Sequence, residues 1–263
     1  MTHDAGSHGT SLLQKFIPGR RFPFPKSLYA VEDAIRFFLE NKPEAVVLDF
    51  FGGSGTTTHA VALLNQEDGG SRQSILVTNN EVSSAEADML RERGLRPGDK
   101  GWERLGIFEQ ITRPRVTAAI TGRTPEGDLV DGEYVGNVPM ADGFEENLEF
   151  FELIYLDAEL VELGDAFSGI APLLWLRAGG SGDIIARHPG KPYIWTDRYG
   201  VLFNVDRWRA FVEKRPTSAS TAFIVTDSQT TFSGIASELP SEIDVVRLYE
   251  NYLSTFAINR GYV

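Results

Sequence analysis

Along the first half of the chain, apolar positions switch between two periods. Residues 27–40 (SLYAVEDAIRFFLE) place Leu28, Val31, Ile35, Phe38 and Leu39 at helical spacing after a Pro-Lys-Ser start, which predicts an amphipathic helix. Residues 45–50 (AVVLDF) are a short continuous apolar run, the pattern of a buried strand. A glycine turn, FGGSG (51–55), leads into TTTHAVALLNQ (56–66), a helix opened by threonines. SILVT (74–78) predicts a second buried strand, and SSAEADMLRERG (83–94) a helix with a serine cap and a glycine stop. A further helix is expected over 103–121. Residues 1–26, rich in Gly, Pro and Ser, read as an arm or loop.

The pattern shifts at TGRTPEGDLVDGEY (121–134), a turn-rich stretch that predicts a boundary between regions 1–123 and 124–263. Beyond it, FFELIYL (150–156) predicts a strand and 157–177 an apolar helix broken at Pro172. PYIWTD and YGVLFNV predict a hairpin, RWRAFVEKR a helix, TAFIVTD (221–227) a strand and FSGIASELP a helix. IDVVRLY predicts a strand and ENYLSTFAI a closing helix. Strands alternating with helices make this second region α/β as well. It is expected to pack on the first region, because two strands are too few to stand as a sheet.

Composition narrows the function classes. The 263 residues contain no cysteine, which excludes disulfides and thiolate metal sites and makes a cytoplasmic location the expectation. No stretch approaches the roughly 20 apolar residues of a membrane span, and the N-terminus lacks the pattern of a signal peptide. The net charge of −12 argues against an independent grip on DNA, which normally relies on clustered Lys and Arg. The densest basic groups are Lys15, Arg20, Arg21 and Lys26, then Arg91, Arg93, Arg96 and Lys100. His3, His8, His59 and His188 are not spaced as metal ligands. His59 is expected to pack and Asp227 to serve a turn.

The unit that carries chemistry is VVLDFFGGSGTTTHAVALLN (46–65): strand, glycine turn, helix. Glycines let the backbone turn sharply and approach a ligand closely, and a helix start offers unpaired N–H groups. No lysine follows the glycines, so this is not a phosphate-cradling P-loop. The Gly-x-Gly-x-x-Gly spacing of dinucleotide enzymes also fails, since position 58 is Thr. The second strand runs into Asn79-Asn80-Glu81, and a carboxylate at that end can accept hydrogen bonds from both ribose hydroxyls of an adenosine.

DFFGGSGTT (49–57) resembles the cofactor motif of the beta-class amino-directed DNA methyltransferases, Asp-x-Phe-x-Gly-Ser-Gly-Thr-Thr. Asp49, Phe51, Gly53, Ser54, Gly55, Thr56 and Thr57 match its fixed positions, with Phe50 and Gly52 between them. RRFPFPKSLYAVEDAI (20–35) is similar to the family's other cofactor motif, in which an aromatic-Pro-Lys turn, here Phe24, Pro25, Lys26 and Ser27, starts a helix over the methionine end of the cofactor. GSHGTSLLQKF (6–16) resembles the stretch before that turn in type III restriction–modification methyltransferases. The likeness runs over residues 6–122; the remainder resembles the tails of large bacterial methyltransferases only loosely. It implies a partial Rossmann-like fold, S-adenosylmethionine as cofactor, Asn80 and Glu81 on its ribose side, and methyl transfer to N6 of adenine or N4 of cytosine.

The family's catalytic motif, Asp/Asn/Ser-Pro-Pro-Tyr/Phe, accepts hydrogen bonds from the target amine and stacks on the flipped base. Here 13 prolines include no adjacent pair, so no catalytic residue is assigned. In the permuted subclass the catalytic half comes first, and this chain resembles the half that follows. The expectation is a cofactor-binding portion that needs a complementary catalytic half, or self-association, and meets DNA only through the complete enzyme. The alternative is an inactive pseudo-methyltransferase serving as an interaction or regulatory module.

Overall fold

In the computed structural model, which describes residues 3–153, 167–186 and 190–248, β1 (Val46–Asp49) and β2 (Gln73–Leu76) pair in parallel, with Val46 opposite Gln73 and Asp49 opposite Leu76. Between them runs α3 (Thr56–Asp68), which packs on β2, on α2 (Leu28–Leu39) and on α6 (Arg113–Thr121). Every residue from His59 to Asn65 of α3 is buried, so this helix is covered on all sides. Ala60 and Ala62 leave room for its neighbours to approach.

Among the described residues of the first unit, one face of the sheet is covered by α3. Val47, Asp49, Ser74 and Leu76 share the α3 side, where Thr58 Oγ1 meets Ser74 Oγ at 2.9 Å. By strand alternation Val46, Leu48, Phe50, Ile75 and Val77 share the other face, and they are 42–63% exposed. The expected fully buried strands are therefore half-buried.

Three further expectations change. Residues 1–26 are not simply an arm: Gly6–Ser11 and α1 (Leu12–Phe16) form a helical segment. Leu12, Leu13, Phe16 and Ile17 supply it with an apolar face that is almost wholly buried. The helix expected over 83–94 is α4 (Ser84–Glu92), whereas that expected over 103–121 is two pieces, α5 (Lys100–Glu103) and a wider π-type turn, Phe108–Thr112, that continues into α6. The second piece starts afresh because Asn80 Oδ1 accepts from the backbone N–H of Phe108 and of Glu109, at 3.1 and 3.3 Å. Finally, the chain forms two compact units, Met1–Phe150 and Phe151–Val263, so the boundary expected at 123/124 falls inside the first. Residues 122–144 fold back as two tight turns with bridges Arg123↔Leu129 and Glu133↔Pro139. They drive Val130, Tyr134, Met140 and Phe144 into the core around α3.

In the second unit, β3 (Tyr193–Trp195) and β4 (Tyr199–Leu202) make the expected hairpin. β5 (Thr221–Ile224) and β6 (Asp244–Arg247) then add in parallel, giving the order β3-β4-β5-β6. Tyr199, Val201 and Phe223 pack with α7 (Phe167–Arg177) on one face. Leu202 and Ile224 pack with Phe211 of α8 (Trp208–Glu213) and Ile235 of α9 (Gln229–Ala236) on the other. Burial of Ile170, Ala171 and Leu174 carries α7 through Pro172 without the expected break. Phe150–Leu153 carry no strand, and the rest of that expected strand, residues 157–166, His188 and the closing helix lie outside the described residues. Both units combine helices with parallel strands, an α/β arrangement.

Met140, 1% exposed, tests the place of the 122–144 turns in the first core. Met140→Ala should cost the first unit about 2–5 kcal/mol, read from hydrogen exchange of α3 amides in denaturant; a cost below about 1 kcal/mol would place this segment outside the core.

Candidate cofactor site

The glycine turn is held from beneath by the residues on either side of it. Asp49 accepts from the Phe51 N–H at 2.9 Å and from Thr57 Oγ1 at 2.6 Å, so its carboxylate ties strand end, loop and helix start together. The Gly55 N–H donates to the Gly52 carbonyl at 2.8 Å, closing the turn, and the Gly52 N–H reaches the Val77 carbonyl at 3.1 Å, tying the loop to the end of β2. Gly55 has a left-handed φ of 79°, and a Cβ there would stand 2.6 Å from Val116 Cγ2. Only glycine meets both conditions. No side chain caps α3, so its first N–H groups face the loop opening.

Other predicted site residues gather at this end of the sheet. The Phe22-Pro23-Phe24-Pro25-Lys26-Ser27 turn starts α2, and Phe22 Cζ lies 3.6 Å from where a Cβ on Gly53 would stand, so the two cofactor-motif stretches meet. Phe24 has a positive φ of 55° and is 93% exposed. Strained conformations of this kind persist where the surroundings hold them, often at functional sites. Pro25 is buried and Lys26 exposed, while the Oγ of buried Ser27 has no hydrogen-bond partner. Because β1 and β2 are parallel and in register, the segments that follow them, loop 50–55 and residues 77–81, leave the same edge. Exposed Glu81 lines a cleft of about 460 Å³ with Asn79, Val82, Arg91 and Trp102. Arg91 stacks over the Trp102 ring at 5.6 Å.

Several predicted site residues spend their side chains inside the protein. Asn80 donates to the carbonyl and carboxylate of Glu103 and accepts from Phe108 and Glu109, which leaves its backbone to line the cleft. Ser54 and Thr56, both 4% exposed, meet each other at 3.1 Å and both meet Arg115. Asp49 and Thr57 pair as above. What the loop offers outward is backbone and the exposed rings of Phe50 and Phe51.

Arg115, Thr112 and Val116 were not anticipated. The signal was present in the helical spacing of Ile111, Thr112, Arg115, Val116 and Ala119, which sets an arginine within an apolar face. His59 packs as expected: it is fully buried, with Nε2 2.8 Å from the Tyr134 hydroxyl and its ring edge-on to Phe16. Burial, and then the Arg115 charge, hold it neutral, with a pKa well below the ordinary 6.5. Asp227 sits in the turn after β5, where its carbonyl accepts from Arg247. Among the described residues no cluster of His, Asp and Glu is arranged to hold a metal ion, and no helix is long and apolar enough to cross a membrane.

Stretches of the sequence are similar to DNA methyltransferases. No protein-family model matches the chain. A stretch of 71 residues is 45% identical to the type II methyltransferase M.KpnI of Klebsiella pneumoniae, covering 27% of this chain and 16% of that protein. Ninety-six residues are 46% identical to the StyLTI Mod subunit, a type III restriction–modification enzyme of Salmonella typhimurium, covering 36% and 13%. The EcoPI Mod subunit of Escherichia phage P1 is 38% identical over 76 residues, covering 29% and 12%. The chain is thus related to DNA methyltransferases of restriction–modification systems, and the matched stretch spans less than a fifth of each of these relatives.

His59 gives this site a pH signature. Its folded pKa lies below its unfolded value, so below about pH 6.5 only the unfolded chain takes the proton. Stability then falls as the pH falls, by up to about 1.4 kcal/mol per unit, and is unaffected above that range. The unfolding free energy of wild type minus that of His59→Gln should show this slope between pH 6.5 and 5; a flat difference would mean that His59 titrates normally in the fold.

Proposed function

We propose that this chain is the S-adenosylmethionine-binding portion of a site-specific DNA adenine-N6 methyltransferase of a restriction–modification or phage-defence system, and that it works with a complementary catalytic half. The observation that carries this reading is that the glycine turn meets the Phe22–Ser27 turn and that Glu81, with its cleft, follows the second of two parallel strands at the same carboxyl end. Ligands of open α/β sheets bind at such an edge. The residues fit the cofactor: an uncapped helix start, glycines that keep the loop narrow, an unpartnered Ser27 Oγ and an exposed carboxylate beside a cleft with room for a purine.

When bound, the cofactor supplies an electrophilic methyl group. Glu81 would accept hydrogen bonds from the ribose hydroxyls, and the backbone of Phe50–Thr57, the start of α3 and Phe24–Ser27 would hold the amino-acid end. The gain is one of orientation. The group that accepts hydrogen bonds from the target amine comes from the complementary half, since no Pro-Pro-aromatic triplet exists in this sequence. The open apolar sheet face supports that division, because parallel sheets are normally covered on both sides. The charge of −12 assigns the phosphate contacts to the partner as well.

Calorimetry with S-adenosylmethionine or its demethylated product should show saturable binding. Glu81→Ala should weaken it at least about tenfold, or about 1.4 kcal/mol, and Gly55→Val should abolish it. No heat from wild type at millimolar ligand would overturn the cofactor assignment. With labelled cofactor and unmethylated DNA the chain alone should give background transfer, and adding a polypeptide that carries the Pro-Pro-aromatic motif should give activity. Transfer by the pure chain would show that its catalytic residues lie within these 263 positions.

A further inference from the structure

One helical segment is fastened to both halves of the candidate site. Its first end is tied to the strand end that carries Glu81. The Ile107 N–H donates to the Glu81 carbonyl at 2.9 Å, and the N–H groups of Phe108 and Glu109 converge on Asn80 Oδ1. Its other end grips the glycine turn. Thr112 Oγ1 donates to the Gly53 carbonyl at 2.5 Å, and Val116 fills the space that a Gly55 side chain would need. Arg115 Nη1 stands 3.1 Å from the Ser54 carbonyl, 2.9 Å from Ser54 Oγ and 2.6 Å from Thr56 Oγ1. Gly53, Ser54, Gly55 and Thr56 are therefore each touched from this one segment.

Arg115 is an expensive choice for a packing residue. It is 1% exposed, its Nε has no hydrogen-bond partner, and its described hydrogen-bond partners include no carboxylate. Burial lowers its pKa to about 10, which leaves it charged at neutral pH. An apolar side chain would fill the space at lower cost. What an apolar side chain cannot do is hold a carbonyl and two hydroxyls of a glycine-rich turn in one arrangement. The wide turn at Phe108–Thr112 lies between the two fastenings; such π-type turns in helices recur at functional sites.

We propose that residues 107–116 act as a strut that fixes the spacing between the glycine turn and the Glu81 strand end, with Arg115 as the positioning residue that holds the turn in its ligand-ready shape. The role in cofactor binding rests on the function proposed above; the ordering of the turn does not.

The test uses the full chain and the variants Arg115→Met, Arg115→Lys and Asn80→Ala. Hydrogen exchange followed by mass spectrometry reads the turn (residues 51–57), the other fastening (79–83) and the core of α3 (60–65). Arg115→Met should speed exchange in the turn at least tenfold and leave the α3 core unchanged, with Arg115→Lys between it and wild type. Asn80→Ala should loosen 79–83. Calorimetry with the demethylated product should show at least tenfold weaker binding for Arg115→Met, whose side chain is engaged wholly within the protein. Unchanged exchange in the turn would overturn the proposal. So would exchange that rises equally in turn and core for both Arg115 variants, the mark of an ordinary core residue. If the turn loosens selectively but wild type binds neither the cofactor nor its product, the strut stands and the cofactor reading falls.

Discussion

The first unit is organised by the burial of the middle of α3, His59–Asn65. A helix covered on every side cannot choose its position by its own polarity; the elements around it must fix it. Asp49 and Thr57 pin its start to β1, and Thr58 with Ser74 sets it on the sheet. Phe16, Leu28 and Ala119 close over its far side, and the 122–144 turns seal what remains with Tyr134 and Phe144. Each of these contacts also fixes the place at which the glycine turn opens, because that turn is the first residues before the same helix. Fold and site are thus set by one packing arrangement.

The sheet imposes the opposite condition. A parallel sheet presents two apolar faces, and here α3 satisfies one while Leu48, Phe50 and Ile75 remain open on the other. Contiguous exposed apolar residues of this kind mark a surface available for interaction.

Much of this was legible in the sequence because its strongest signals are local. Glycines at 52, 53 and 55 between an apolar run and a helix mark a sharp strand-to-helix turn whose backbone is free of side chains. Glu81 follows from the length of the next strand. The hairpin at Tyr193–Leu202 was equally plain from its pattern. Less legible were features decided by distant contacts. The Gly/Pro-rich start hid a helix because Leu12, Leu13 and Phe16 act through burial against other segments. The turns at 122–144 had the composition of a linker, yet four spaced apolar residues anchor them in the core. Asn80 is expected on the ribose side of a cofactor, and its side chain also fastens the start of the Phe108–Thr112 turn, a contact the sequence does not signal. Arg115 was hidden by the ordinary tendency of arginine to lie at the surface.

If the glycine turn, the Phe22–Ser27 turn and the Glu81 cleft form one cofactor site, a single ligand perturbs all three. The most direct measurement is an NMR titration of the isotope-labelled full chain with demethylated S-adenosylmethionine. Saturable shifts should appear together at residues 24–27, 51–57 and 79–82, with the β5 and β6 amides unmoved. Saturable shifts elsewhere, or no shifts at millimolar ligand, would contradict the single site.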